Sequence, residues 1–441
     1  MTAVVVFIPG IMGSQLTSPA GKIVWPGEFL ELIAPYKHMD ALLDEQTAPT
    51  DIIRDYGIIP QYSLLVKDLN SCGFSETSNP PTLICFAYDW RKSNVLAAKA
   101  LSAKLDSLLE QNPAIDEIIL IGHSMGGLIC RYYLESGKFN DAIAFAKVAK
   151  LITLATPHRG SPLALTAILG QDRKMWLRPD QVASFAADAR YPAVYELMPP
   201  NTEPFLWDET PAANLSIIDL VSKTAEMKLS AENLAQAAAF HKGLDLSKKP
   251  DAVRYFCFVG SRMKTATTAL YAKDPKAFHV RKFESEGGGD GTVPFASGLL
   301  PSVQWFAVGG EHGQIYKDKD LRHRLGILLG KPGLLPGETK PSIVTKEYVI
   351  GKNDPIQAVI KWTVSINSID GNVILEKATD VTDQKVEKYV EYSKTKVEYT
   401  GPSLEHLSIE LPGPKYAGVY KIRYSSTDGT ETCDYQFFVQ G

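Results

Sequence analysis

One run of five residues constrains this chain more than any other: Gly122-His123-Ser124-Met125-Gly126, a G-x-S-x-G pattern. It sits between a β-branched segment, residues 117–121, and a segment with helical character, residues 125–136, that ends at Gly137. A serine on a sharp strand-to-helix turn adopts strained backbone angles, so residues two positions away must be small. Such a turn lifts the hydroxyl above a parallel sheet. It also puts the Met125 amide at a helix N-terminus, where the amide and the helix dipole can stabilise an oxyanion. Gly127 adds room for the helix to approach the sheet. A plain tight turn is the alternative, and it has no need of the strand and helix on either side.

The surrounding pattern is that of an α/β sheet. Strand-like runs at residues 4–8, 82–87, 117–121, 151–155, 254–259 and 303–308 alternate with helical segments. These helices are expected at 63–70, with Gly73 as a stop, and after Ser93, which can cap a face holding Leu101, Leu105, Leu108 and Leu109. A last helix is expected at 314–329. Two stretches break the rhythm. Residues 17–62 carry Trp25, Phe29, Leu30, Leu32, Ile33 and Tyr36, and residues 163–251 carry Trp176, Trp207 and a helix at 230–242. Their aromatic and aliphatic content argues for lids or caps over a site, against mere surface elaboration.

Residues 331–341 are dense in proline and glycine and mark a linker. Beyond it the style changes to short strands, at 343–350, 358–365, 373–378, 394–399, 407–411, 418–425 and 433–439. Asp370-Gly371 and Asp428-Gly429 read as hairpin turns, and Tyr416 with Tyr420 suits a tyrosine corner. The expected organisation is an α/β catalytic domain over 1–330, with lid or cap insertions at 17–62 and 163–251. An all-β, immunoglobulin-like sandwich over 342–441 follows as an accessory domain.

Composition excludes several roles. With 46 Lys and Arg against 50 Asp and Glu, net charge −4, the chain has no electrostatic case for nucleic acid. No apolar run approaches the roughly 18 residues that span a bilayer. Five cysteines without a C-x-x-C pair suggest neither a disulfide framework nor zinc, and no metal or cofactor is expected. Residues 3–8 are apolar, but no Lys or Arg precedes them and Pro9-Gly10 ends the run, so a strand is expected rather than a leader. The expected location is the cytoplasm, or outside it by a leaderless route, and not within a membrane.

A serine hydroxyl needs a base, and on this fold the order runs serine, acid, histidine. The late histidines are His241, His279, His312, His323 and His406. His312 lies in Gly309-Gly310-Glu311-His312-Gly313, past the last expected strand, with glycines that let its ring swing toward Ser124. His323 reads as a helix-face residue, His406 lies in the tail, His241 in an insertion, and His279 upstream of the best acid. That acid is Asp290, in Gly287-Gly288-Gly289-Asp290-Gly291-Thr292-Val293-Pro294, where glycines leave few other side chains. Glu284, Glu286 and Glu311 are rivals with nothing to fix them. A second oxyanion amide should come from the loop after the first strand. Pro9-Gly10-Ile11-Met12-Gly13-Ser14 fits, with the Ile11 amide as donor beside that of Met125.

Together these segments resemble the lecithin:cholesterol acyltransferase family. Pro9 to Leu16 is similar to its opening P-G-x-x-G-[NS]-x-L, Ala87-Tyr88-Asp89-Trp90-Arg91 to its P-Y-D-W-R, and Asp290-Gly291-Thr292-Val293 to its D-G-T-V acid loop. The resemblance covers roughly residues 1–330. It implies an α/β-hydrolase fold, a triad of Ser124, Asp290 and His312, and oxyanion amides at Ile11 and Met125. The chain departs from the family in two places. Residues 17–62 hold no cysteine, whereas the animal enzymes close a membrane-binding loop there with a disulfide; Trp25 and its neighbours are left as lipid-contact candidates. Thr156-Pro157-His158-Arg159-Gly160-Ser161 is similar instead to a segment of bacterial lipases, with His158 shaping a loop.

The expected function is a serine-dependent lipolytic hydrolase or lipid O-acyltransferase working through an acyl-enzyme on Ser124. The alternatives are a soluble carboxylesterase on small esters, a hydrolase delivered by a partner-binding sandwich, or a binding protein that kept only the fold. Expected partners are an acyl ester or lipid, transient contact with a membrane surface, and a protein or glycan at the C-terminal region.

Overall fold

Six strands rich in branched aliphatic residues form the central sheet, and every neighbouring pair is parallel. They are β1 (Thr2–Ile8), β2 (Leu83–Cys85), β3 (Ile115–His123), β4 (Val148–Leu154), β5 (Arg254–Ser261) and β6 (Gln304–Gly309), in the spatial order β6-β5-β4-β3-β1-β2. The structure, a computed structural model, describes residues 2–28, 31, 33–56, 59–209, 216–273, 278–332, 341–381 and 386–441. A parallel sheet is buried on both faces, which is why Val4 to Ile8 and Ile118 to Ile121 read as unbroken apolar runs and are nearly fully buried. One face packs on α2 (Asn94–Gln111) and α3 (Met125–Glu135); the other packs on α1 (Ser63–Ser71) and α4 (Lys319–Leu328). Ser93 caps α2 by accepting from the Val95 amide, and Gly137, at φ 72°, follows α3. This is the α/β sheet that the alternation implied and the α/β-hydrolase arrangement that the family resemblance implied.

The expected single helix over 314–329 is two pieces. A 3-10 segment, His312–Lys317, stops at Asp318, whose extended backbone and side chain cap α4 through the Asp320 and Leu321 amides. An antiparallel hairpin, Met263–Lys273 with Phe278–Gly289, stands between β5 and Asp290 and pairs with Leu206–Asp208 of the second insertion. The sequence reading did not anticipate this hairpin. The helix expected at 230–242 is Ala231–Lys242, capped by Ser230.

The first insertion is not a lipid-facing loop at Trp25. That side chain is fully buried, donates from Nε1 to the Met12 carbonyl at 2.9 Å, and meets Tyr36, Trp90 and Trp176 edge-on. Its indole needs both an apolar bed and a hydrogen-bond acceptor, and the loop after β1 supplies the acceptor. Phe29, Leu30 and Leu32 lie outside the described residues.

The C-terminal region is all-β, as expected. Its strands are β7 (Ser342–Thr345), β8 (Val349–Gly351), β9 (Ile356–Val381), β10 (Val386–Leu411), β11 (Gly418–Ser426) and β12 (Thr432–Gln440). They run β7-β9-β11-β12-β8, with β10 beside β9. Among the described residues six strands replace the expected seven, because two pairs of short strands are continuous and the strand expected at 343–350 is split into β7 and β8. Asp370-Gly371 is therefore no hairpin turn: Asp370 pairs with Glu398 and Gly371 with Val397. Glycine is needed there because a Cβ would come within 2.7 Å of the Tyr424 ring. Asp428-Gly429 does turn, with Gly429 at φ 73°. The Tyr420 hydroxyl donates to the Tyr416 carbonyl at 2.9 Å, as a tyrosine corner requires. Residues 333–340 of the expected linker lie outside the described residues.

Candidate active site

The turn after β3 holds Ser124 at φ 51° and ψ −124°, a conformation few side-chain-bearing residues adopt. The glycines make it possible. A Cβ at Gly126 would come within 2.3 Å of the Ile8 carbonyl, one at Gly122 within 2.5 Å of Gly127, and one at Gly127 within 2.0 Å of the Thr156 hydroxyl. The Ser124 amide is tied to the Leu154 carbonyl at 2.8 Å.

Three side chains from three loops converge on this turn. His312 Nε2 lies 2.9 Å from Ser124 Oγ, and His312 Nδ1 lies 2.9 Å from Asp290 Oδ2. Asp290 is almost fully buried, and its Oδ1 accepts from the Thr292 and Val293 amides at 3.0 and 2.7 Å. The His312 amide in turn donates to the Asp290 carbonyl at 3.0 Å. Burial disfavours a charged His312, but the adjacent Asp290 carboxylate, together with Glu311, more than offsets it and raises the imidazole above its ordinary value.

The loop after β1 closes the other side. A Cβ at Gly10 would come within 3.0 Å of Ser124 Cβ, so the backbone of this loop reaches Ser124. The amides of Ile11 and Met125 donate to no other group among the described residues. The Y-D-W-R segment buttresses this loop. The Tyr88 hydroxyl donates to the Pro9 carbonyl at 3.0 Å, and Trp90 Nε1 to the Ser14 carbonyl at 3.2 Å. Arg91, fully buried, pairs with Asp89 and donates to the carbonyls of Leu42, Asp44 and Thr47.

The other sequence candidates lie elsewhere. His158 is buried against Thr153 and Cys257, and His241 Nε2 contacts the Glu196 carbonyl. His323 is exposed on α4, His406 lies on β10, and His279 lies on the hairpin strand Phe278–Gly289. Glu284 pairs with Lys346, and Glu286 with Lys264. Glu311 caps the Gly313 amide through Oε1 and is raised to about 7 by burial.

Two residues at the site went unread in the sequence. His123, the variable position of the motif, places Nε2 2.9 Å from the His312 carbonyl and Nδ1 2.8 Å from the Tyr62 hydroxyl. Tyr62 also accepts from the Gly10 amide at 3.0 Å. The carbonyl can only accept, so His123 carries its proton on Nε2 and Tyr62 donates to Nδ1. Burial holds His123 neutral, down at about 3. The network thus joins the loop after β1 to the His312 loop. Nothing but the identity of the residue before the serine could have signalled it.

Ser124 and His312 open on a cavity of about 230 Å³, mostly apolar, with Met12, Leu163, Val182, Leu197 and Tyr348 among its walls. Among the described residues, no group of His, Cys, Asp or Glu is placed to hold a metal ion, all five cysteines are free, and no helix is long and apolar enough to cross a membrane.

Residues 53–256 match the family model of lecithin:cholesterol acyltransferase. The resemblance read from the motifs is thereby shown over that span, which includes Y-D-W-R and G-x-S-x-G; Asp290, His312 and Ile11 lie beyond it. No curated protein matches the chain. Among solved structures, a chain of the Tle4–Tli4 complex is similar with a TM-score of 0.52 and 15% identity, covering 75% of this chain and 98% of that one. At such identity it speaks for the fold alone. A lin2722 gene product from Listeria innocua aligns at a TM-score of 0.32 and 12% identity, over 75% of this chain and 95% of that one. A carboxylesterase structure from Nitrososphaera gargenis aligns at 0.27 and 15%, over 75% and 89%.

Proposed function

We propose that this chain is a serine-dependent acyl hydrolase or O-acyltransferase that acts on lipid esters through an acyl-enzyme on Ser124. The observation that carries the reading is the unbroken hydrogen-bond line from Asp290 through His312 to Ser124 at the wall of an apolar cavity. The family match over residues 53–256 supports the general class, an enzyme of the ester hydrolase or acyltransferase kind.

In this reading His312 takes the Ser124 proton as Oγ attacks the ester carbonyl, then returns it to the leaving alcohol. Asp290 holds the ring in the tautomer whose Nε2 can accept, and stabilises the imidazolium that forms. The amides of Ile11 and Met125 receive the developing oxyanion, each worth about 2.7–4 kcal/mol. Water then releases the acid; a lipid alcohol in its place would give a new ester.

The deciding experiment incubates the purified chain and its Ser124→Ala variant with mixed phospholipid and neutral-lipid vesicles and identifies products by mass spectrometry. Serine-dependent fatty acid marks a hydrolase, and serine-dependent new ester marks a transferase. No serine-dependent product from any ester, lipid or small, would sink the reading. The modest cavity volume favours one second reading, a carboxylesterase on short esters, and specific activity on monomeric against aggregated ester separates the two. Equal activity on both forms would count against a lid.

The Tyr62–His123 network gives a further expectation. Tyr62→Phe removes the donor to His123 Nδ1 and the acceptor for the Gly10 amide. At roughly 1 kcal/mol for the lost positioning, kcat should fall about five- to tenfold with KM unchanged. Unchanged kcat would mean that the two loops hold their places without Tyr62.

A further inference from the structure

The C-terminal β-region reaches the catalytic cavity. Between β7 and β8 the chain runs through Lys346, Glu347 and Tyr348, and these residues together with Val349 line the space that Ser124 and His312 share. Lys346 lies against the acid loop: a Cβ on Gly291, next to Asp290, would sit 3.2 Å from Lys346 Cγ.

This strap is held from several sides. The Lys346 amide donates to the Gln357 carbonyl at 2.7 Å, and its ammonium pairs with Glu284 at 2.7 Å. The Phe438 amide donates to the Tyr348 carbonyl at 3.0 Å. The Tyr348 ring is buried between Tyr56 of the first insertion and Phe438 of β12, with centroids 5.5 and 5.8 Å away.

The same end of the β-region fastens both insertions. Gln440 is fully buried, and its Nε2 donates to the Ala34 carbonyl at 2.9 Å and the Trp176 carbonyl at 3.0 Å. Its Oε1 accepts from Arg173. Trp176 also meets Phe438 edge-on at 5.7 Å. A buried amide whose donors and acceptor are all used by other segments is the mark of a fixed contact, because each broken bond would leave a buried orphan.

We propose that the strap 346–349 is the specificity wall of the catalytic cavity, with Tyr348 and Val349 setting the length of acyl chain that reaches Ser124. The β-region is then part of the active site rather than a separable delivery module. This inference rests on the acyl-ester reading above. The argument is one of volume. At about 230 Å³ the cavity is smaller than the roughly 300–1,000 Å³ of common ligand sites. Its apolar walls reward each additional buried methylene with roughly fourfold in kcat/KM until the far wall is met. Tyr348 and Val349 are apolar wall residues contributed from outside the hydrolase fold.

The test uses the full chain, because Gln440 and Tyr348 fix both insertions. Wild type, Tyr348→Ala, Tyr348→Phe and Val349→Phe are assayed on p-nitrophenyl esters from acetyl to palmitoyl. Tyr348→Ala should move the optimum to longer chains and raise the long-to-short ratio of kcat/KM by about tenfold or more. Val349→Phe should move it to shorter chains, and Tyr348→Phe should keep the wild-type profile. If folded Tyr348→Ala and Val349→Phe lower or keep activity equally at every length, the strap is structural and the proposal falls. If Tyr348→Ala does not fold, the Val349→Phe profile alone decides. If wild type turns over no ester at all, the acyl-ester reading falls first and takes this one with it.

Discussion

Replacing Ser124 with alanine is expected to lower turnover by about 10⁶ while leaving the fold and its melting temperature close to wild type. Both halves follow from the geometry. Among the described residues the hydroxyl makes one hydrogen bond, to His312 Nε2. His312 keeps its place without it, through Asp290 on Nδ1 and its own amide on the Asp290 carbonyl. The strained turn is held by backbone bonds that alanine preserves, Ser124 N to the Leu154 carbonyl and Gly127 N to the Ser124 carbonyl. Alanine at φ 51° bears about the same strain as serine, so stability should hardly move. The activity left over belongs to the oxyanion amides and substrate binding, which in other serine hydrolases retain some 10³–10⁴ over water. Thermal melts and single-substrate kinetics on the same preparation test both statements. Full activity in a folded variant would remove Ser124 from the chemistry; a collapsed melting transition would make the residue structural.

Which parts of this molecule were legible beforehand depended on whether the physics is local. Ser124 is legible because its strain demands glycines within three residues. Asp290 is legible because the glycines around it strip away competing side chains. The hairpin Met263–Gly289 was not, because register shifts between Met263 and Thr265 and between Ala266 and Thr268 break the period of two that marks a strand. Gly371 misled for a related reason: it looks like a turn residue, but its missing side chain makes room for Tyr424 from another strand. The aromatic content of the insertions pointed to a lipid-facing lid, whereas Trp25, Tyr36 and Trp176 are spent on the contact between the two insertions. Tyr62 meets His123 across 61 residues of chain, and Tyr348 meets Tyr56 from another region altogether. Such partnerships leave no spacing to read.

The second large effect is expected from Asp290→Asn, and it should appear in two quantities that move independently. Asp290 Oδ1 accepts from two backbone amides, which will hold the carboxamide oxygen of asparagine on that side. Its NH₂ then faces His312 Nδ1, which must accept rather than donate. The proton is driven to Nε2, where the ring can no longer take the one from Ser124, and kcat should fall by about 10⁴. The pH profile should shift as well. In wild type, burial disfavours the imidazolium but Asp290 and, less strongly, Glu311 together override it, so His312 stays charged to higher pH than an ordinary histidine. On the proposed mechanism activity needs the neutral ring, so the acid limb of kcat/KM is expected above the ordinary histidine value of about 6.5. With Asp290 neutralised, burial acts with less opposition and the limb moves toward acid. A variant that loses rate without moving its limb would mean that His312 answers chiefly to another charge. Glu311, which also favours the charged ring and is its chain neighbour, would then be the carboxylate to replace next.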